Sequence, residues 1–145
     1  MKKVLVLHGP NLNLLGIREN TIYGSTTLKE VNSQLQEAGK KVSIEIRAYQ
    51  SNSEGELIDA LHDARTWADG VIFNPGGYTH TSVALRDAVA AIDLPVIEVH
   101  LSNISNRESF RHTSLIAPVC IGQISGFGWQ SYLVALHGLV LQLKT

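Results

Sequence analysis

The chain has 145 residues, of which 44% are hydrophobic and 17% charged, with a formal net charge of −1. That size suits one domain, 1–145, with a buried core, and the charge balance excludes a disordered chain and any basic footprint for nucleic acid. A single cysteine, Cys120, excludes an internal disulfide, and the apolar start is far too short for a signal peptide or membrane span, so a cytoplasmic protein is expected.

Val4-Leu-Val-Leu7 reads as a first strand running into the loop His8-Gly-Pro-Asn11. The long segment from Asn11 to Ser25, which carries Arg18 and Tyr23, has the length of a lid over a site. Thr27-Leu-Lys-Glu30 has the pattern of a capping box, and a helix should run from it to a C-terminal cap near Gly39. Val42, Ile44, Ile46 and Ala48 alternate as a second strand. Ser53-Glu-Gly-Glu56 is another capping box, and Leu57, Leu61, Ala64 and Ala68 then form one helical face. Val71-Ile-Phe73 is the third strand, stopped by Asn74-Pro-Gly-Gly77, with a helix from Thr81 to about Ile92. Pro95–Leu101 is the fourth strand, and Ser102–Ser114 is a polar loop with room for one helical turn. Val119–Ile124 is the fifth strand, and Cys120, lying in this apolar run, reads as a buried structural thiol. Trp129, Leu133, Leu136, Val140 and Leu143 mark the apolar face of a last helix.

Strands that alternate with helices argue for right-handed βαβ crossovers and a parallel sheet. Five strands point to a three-layer α/β, flavodoxin-like, doubly wound sheet in the order 2-1-3-4-5, the common small solution. Ligands of such folds bind beyond the carboxyl ends of the strands, near the switch point between strands 1 and 3.

Asn11, Asn74 and His100-Leu-Ser102 all sit where apolar runs stop. Glu98 and His100, two apart on a strand, share a face, so the acid can fix the tautomer of a proton-donating histidine. A buried pair that only staples the strand is the other reading. His80 follows a glycine-rich turn, which offers backbone N–H groups to anions, or it packs the loop. Position alone leaves His8 undecided between lining the site and ending the strand. His62 and His137 read as ordinary helix residues. A tyrosine becomes a base near neutral pH only if its pKa falls from roughly 10, and a nearby guanidinium can do that. Arg18 and Tyr23 could supply the pairing. A solvated arginine and a packed tyrosine are the bland alternative.

Other chemistries lack their residues. No lysine falls at a carboxyl strand end for a Schiff base. No GxxxxGK[ST] or GxGxxG opens a helix, and a phospho-accepting site would need acids where Asn11 and Asn74 stand. Zinc could use His80, Glu98 and His100, but there is no H-E-x-x-H and no cysteine pair, so no metal is expected.

Five blocks together resemble the type II 3-dehydroquinate dehydratases: His8-Gly-Pro-Asn-Leu-Asn-Leu-Leu-Gly16 with Arg18-Glu19 and Tyr23-Gly24; Gln50-Ser-Asn-Ser-Glu-Gly-Glu-Leu-Ile-Asp59; Asn74-Pro-Gly-Gly-Tyr-Thr-His-Thr-Ser-Val-Ala-Leu-Arg-Asp87; Pro95-Val-Ile-Glu-Val-His-Leu-Ser-Asn103; and Arg107-Glu108 with Phe110-Arg111. The blocks span almost the whole chain in the family's order. The resemblance implies a single catalytic domain, a dodecamer built as four trimers, and dehydration of 3-dehydroquinate in the shikimate pathway by anti elimination through an enolate, with no cofactor.

By the same resemblance, Tyr23 is the base at C2, and Arg18 keeps it ionised. Asn11 holds a water against the enolate oxygen. His100 protonates the departing hydroxyl, with Glu98 orienting it. Asn74, His80 and Arg111 grip substrate hydroxyls, the backbone N–H groups of Leu101 and Ser102 hold the carboxylate, and Asp87 reaches into a neighbouring subunit's site. The chain departs from the family at Asn20, where the lid has a proline that restrains the backbone, and at Ser105, Asn106, Ser109, Thr113 and Ser131. These departures touch loop order and turnover rather than residues given a chemical role. Two other classes remain beside this one: a non-catalytic module binding a hydroxy acid, and a metal-dependent hydro-lyase using His80, Glu98 and His100.

Overall fold

The computed structural model of the chain describes residues 1–17 and 20–144. At the centre of its sheet, strand β1 (Lys2–His8) lies between β2 (Ile44–Gln50) and β3 (Gly70–Asn74). β4 (Val96–His100) and β5 (Gly122–Ser125) follow, giving five parallel strands in the order β2-β1-β3-β4-β5. This is the expected flavodoxin-like order. The helices are α1 (Asn20–Tyr23), α2 (Leu28–Lys41), α3 (Glu54–Ala64), α4 (Val83–Ala91) and α5 (Ser131–Leu143).

Both faces of the sheet are covered, which is why its central strands read as nearly unbroken apolar runs. On one face Val4, Val6, Ile72 and Val99 pack with Val31 and Leu35 of α2 and Leu136 and Leu139 of α5. On the other, Leu5, Leu7, Val71 and Phe73 pack with Leu57 and Leu61 of α3 and Leu85 and Val89 of α4. Strand alternation carries this division to the strand ends. His8 and Asn74, paired in register, fall on the α2/α5 side. Glu98 and His100 fall on the α3/α4 side, two and four residues beyond Val96.

Among the described residues both expected N-caps form, without the return bond of a full capping box. The hydroxyls of Thr27 and Ser53 accept the N–H of Glu30 at 3.2 Å and of Glu56 at 3.3 Å. The cap of α4 is Ser82 rather than Thr81, since Gly76–His80 is a separate 3-10 turn. The polar loop after β4 holds two such turns, Ile104–Asn106 and Ser109–Arg111, and the lid segment holds one at Leu12–Leu14. β5 starts at Gly122 and not at Val119, because Ala117–Val119 coils into a 3-10 turn that takes the N–H groups of Val119 and Cys120 to Ile116 and Ala117. Cys120 is half-buried rather than buried, and burial with the charge of Glu98 pushes its thiol up to about 12.

Gly39 is not the cap of α2, which runs on to Lys41 and stops where Ser43 takes a positive φ of 61°. The glycine is a packing site instead. A Cβ there would lie 2.8 Å from the carbonyl oxygen of Ile44 and 2.8 Å from Cγ1 of Ile46. Alanine in a helix interior gains about 1 kcal/mol over glycine, but a backbone oxygen cannot rotate away, and overpacking costs about 1–3 kcal/mol. Gly39→Ala is therefore expected to lower stability in urea unfolding. Gly55→Ala, whose Cβ would meet only the Ser53 hydroxyl at 3.9 Å, is expected to leave stability level or raise it by up to about 1 kcal/mol.

Candidate active site

Parallel strands deliver their carboxyl ends to one edge of the sheet, and a cavity of about 160 Å³ opens there. Asn11, Tyr23, Asn74, His80, His100, Leu101, Ser102 and Arg111 all border it, together with Arg107. Two other expected site residues lie elsewhere. Glu98 sits directly behind His100 with no exposed surface. Asp87 is exposed on α4, accepts a hydrogen bond from Arg86 at 3.0 Å, and does not border the cavity of its own chain. Arg18 lies outside the described residues.

Nε2–H of His100 donates to Oε2 of Glu98 at 2.5 Å. That oxygen also takes the Thr79 hydroxyl at 2.7 Å and the Gln123 amide at 3.1 Å. Ser114 uses its hydroxyl oxygen to accept the N–H groups of Ile116 and Ala117, so its proton is free to go to Oε1 of Glu98 at 2.8 Å. Burial pushes the Glu98 carboxyl up, but these donors and the charge of His100 outweigh it and hold the group below the usual carboxylate range. Glu98 thus serves as a fixed negative charge. It holds Nε2 of His100 protonated and leaves Nδ1 without a protein partner among the described residues.

The His80 ring stacks near that of His100, with centroids 6.4 Å apart and planes at 18°. Its Nδ1–H donates to the carbonyl of Thr113 at 2.8 Å, so this nitrogen carries a proton. Among the described residues no three His, Cys, Asp or Glu side chains are grouped to hold a metal ion.

Tyr23, on the short helix α1, meets a residue given no role from the sequence. Arg107 donates to its phenolic oxygen at 2.8 Å, with the guanidinium carbon 5.5 Å from the ring centre. Arg107 also reaches the Ser102 hydroxyl at 3.2 Å and so ties the lid segment to the end of β4. The available signal was a basic residue in the polar loop after β4, four before Arg111. Arg111 is held by Glu108 at 3.1 Å and lies over the Phe110 ring at 4.8 Å. Asn11 takes a left-handed φ of 69°, which asparagine tolerates, and its N–H donates to Asn52 at 3.0 Å.

His8 does not border the cavity. It is wholly buried between Tyr132 of α5 at 2.7 Å and Asn32 of α2 at 2.7 Å. Burial, only partly offset by the Asn32 hydrogen bond, lowers its pKa from 6.5 to about 4. Burial pushes the Tyr132 hydroxyl up, against the lowering effect of its hydrogen bond from Asn74.

The fold and site set the class: a small α/β protein with a caged acid–histidine pair and an arginine on a tyrosine at one cavity. Residues 2–140 match the family model described as class II dehydroquinase, and the chain belongs to that family. A 3-dehydroquinate dehydratase of Nostoc sp. is 64% identical over 141 residues, covering 97% of this chain and 96% of that protein. The crystal structure of a type II dehydroquinase from Butyrivibrio crossotus superposes with a TM-score of 0.93 at 45% identity, covering 99% of this chain and 98% of that one. A type II dehydroquinase from Propionibacterium acnes gives a TM-score of 0.93 at 38% identity, covering 97% of each chain.

His8 is neutral in the folded chain at pH values where an exposed histidine is charged, so the unfolded state binds more protons between pH 6.5 and 4. Its contribution is whole above pH 6.5 and is lost as pH falls towards 4, a loss of about 3 kcal/mol. Urea unfolding across that window is expected to show this slope, and His8→Asn to flatten it.

Proposed function

We propose that this chain, an enzyme of the shikimate pathway by family, dehydrates 3-dehydroquinate to 3-dehydroshikimate by anti elimination through an enolate, without a cofactor. The observation that carries the reading is the contact of Arg107 with the phenolic oxygen of Tyr23 at the same cavity as His100. The guanidinium sets a positive charge against the oxygen that would accept the proton. Tyr23 takes the proton from C2. The electron pair moves onto the ketone oxygen, where a water held by Asn11 stabilises the enolate. Collapse of the enolate expels the C1 hydroxyl, which leaves as water on receiving a proton from His100. Glu98 keeps the opposite ring nitrogen protonated, so the donor is Nδ1, the nitrogen with no protein partner among the described residues.

Backbone N–H groups of Leu101 and Ser102 hold the substrate carboxylate, and Asn74, His80 and Arg111 bind its hydroxyls. A polyhydroxylated ring acid calls for such neutral donors and acceptors, with one anion subsite. By the family resemblance, Arg18 serves as a second cation for Tyr23. Asp87, exposed and away from its own chain's cavity, serves the site of a neighbouring subunit in a dodecamer of four trimers. Val83, 58% exposed on the same helix, supports a covered α4 face. No described helix is long and apolar enough to cross a membrane.

The test adds purified protein to 3-dehydroquinate, with chelator and no cofactor, and follows the ultraviolet absorbance of the conjugated enone acid. Absorbance is expected to rise, and Tyr23→Phe and His100→Ala should each lower kcat by about 10²-fold or more with the fold retained. Full activity in Tyr23→Phe would refute the role of base. A flat trace from folded wild-type protein would point to a binding module, and loss of activity on chelation alone to a metal-dependent hydro-lyase.

A further inference from the structure

The buried chain of hydrogen bonds behind Asn74 has a direction, and a single backbone group sets it. The N–H of Gly76 can only donate, and it meets Oδ1 of Asn74 at 3.1 Å. The Asn74 amide is therefore oriented with Nδ2 towards Tyr132, to whose oxygen it donates at 3.1 Å. Having accepted there, the Tyr132 hydroxyl sends its own proton to the other polar atom within reach, Nδ1 of His8 at 2.7 Å. A bare Nδ1 in a neutral imidazole puts the proton on Nε2, and that N–H meets an acceptor, Oδ1 of Asn32, at 2.7 Å. Every contact along this path pairs one donor with one acceptor, and no buried side-chain polar atom among the described residues is orphaned. The reversed order would leave the Tyr132 proton with no acceptor, a costly outcome for a hydroxyl with no exposed surface.

One hydrogen of the chain is unused. Asn74 has two N–H bonds on Nδ2 and gives one to Tyr132, and the residue is among those that line the cavity. We propose that Asn32, His8 and Tyr132 form a positioning relay that locks the Asn74 amide with its second N–H towards the cavity, so that Asn74 offers the substrate a donor and selects for an oxygen acceptor. Helices α2 and α5 thereby reach the site from the far face of the sheet without touching substrate. Gly9 completes the lock. Its N–H donates to the carbonyl of Asn74 at 2.7 Å, and a Cβ at position 9 would lie 2.7 Å from the backbone of Pro75. The strand end that bears Asn74 is thus fixed on its backbone side as well. The low pKa of His8 fits a relay that stays neutral and directional down to about pH 4.

This inference rests on the reading of the cavity as the dehydratase site. The experiment is a double-mutant cycle on the full-length enzyme with 3-dehydroquinate, measuring kcat and KM for Asn74→Ala, Tyr132→Phe and the pair. Tyr132→Phe is expected to lower kcat/KM about tenfold, mainly through KM, in keeping with the 1–3 kcal/mol range for an unmade buried hydrogen bond. In the Asn74→Ala background the same change should cost less than about twofold, because a relay has nothing left to position. Equal losses in both backgrounds, or wild-type kcat/KM in either single variant, would overturn the proposal. If Tyr132→Phe does not fold, the cycle is run with Asn32→Leu at the half-buried end of the chain, under the same criteria. Nitrogen-15 spectra of histidine-labelled wild-type protein at neutral pH should show His8 protonated at Nε2 and bare at Nδ1, and the opposite tautomer would also overturn it. An inactive wild type would instead defeat the functional reading and leave the tautomer result to judge the relay.

Discussion

A carboxylate with no exposed surface is the constraint around which the rest of this site is arranged. Moving an ion of that size out of water costs several kcal/mol unless hydrogen bonds replace the lost solvation. Glu98 meets this demand with donors from four separate places: His100 on its own strand, Thr79 in the turn after β3, Ser114 beyond the polar loop, and Gln123 on β5. Satisfying the charge therefore pins the segments that carry His80, Arg107 and Arg111, and it fixes the tautomer of His100. The carboxylate engages one nitrogen of His100 and leaves the other without a protein partner among the described residues.

The sheet separates two polar systems that the cavity then combines. Strand alternation places Glu98 and His100 over α3 and α4, and His8 and Asn74 over α2 and α5. Neither network touches the other through the apolar layers. They meet only at the carboxyl edge, where the strands end and the side chains of both faces border one opening. This follows from parallel topology, because every strand delivers its carboxyl end to the same side and its connection must leave from there. The site is accordingly rigid on two sides and completed from the third by the lid segment, through Tyr23 and Arg107.

Much of this was legible from residue order. Apolar runs broken by Asn11, Asn74 and His100 located the strand ends, two capping boxes located helices, and the Glu98–His100 spacing put an acid and a base on one face. Family resemblance then supplied roles that periodicity does not contain. Where local reading failed, a remote contact had decided the outcome. Gly39 looked like a helix cap but is a close approach of α2 to β2, since the neighbours that exclude a Cβ belong to the next strand. Val119 looked like a strand residue, but its N–H is bonded to Ile116 within a 3-10 turn.

The sequence by itself determined the alternation of elements, the polarity of the strand ends and the family. Each of these is written in patterns a few residues long, and the physics behind them (helical and strand periods, caps, turn residues) acts over the same short range. Only the tertiary structure decided that Arg107 meets Tyr23 across 84 positions, that Tyr132 from the last helix bridges His8 to Asn74, and that His8 stands behind the site rather than in it. Those pairings arise from how buried polar groups find partners once the sheet has closed, and no local period in the chain encodes which distant partner that will be.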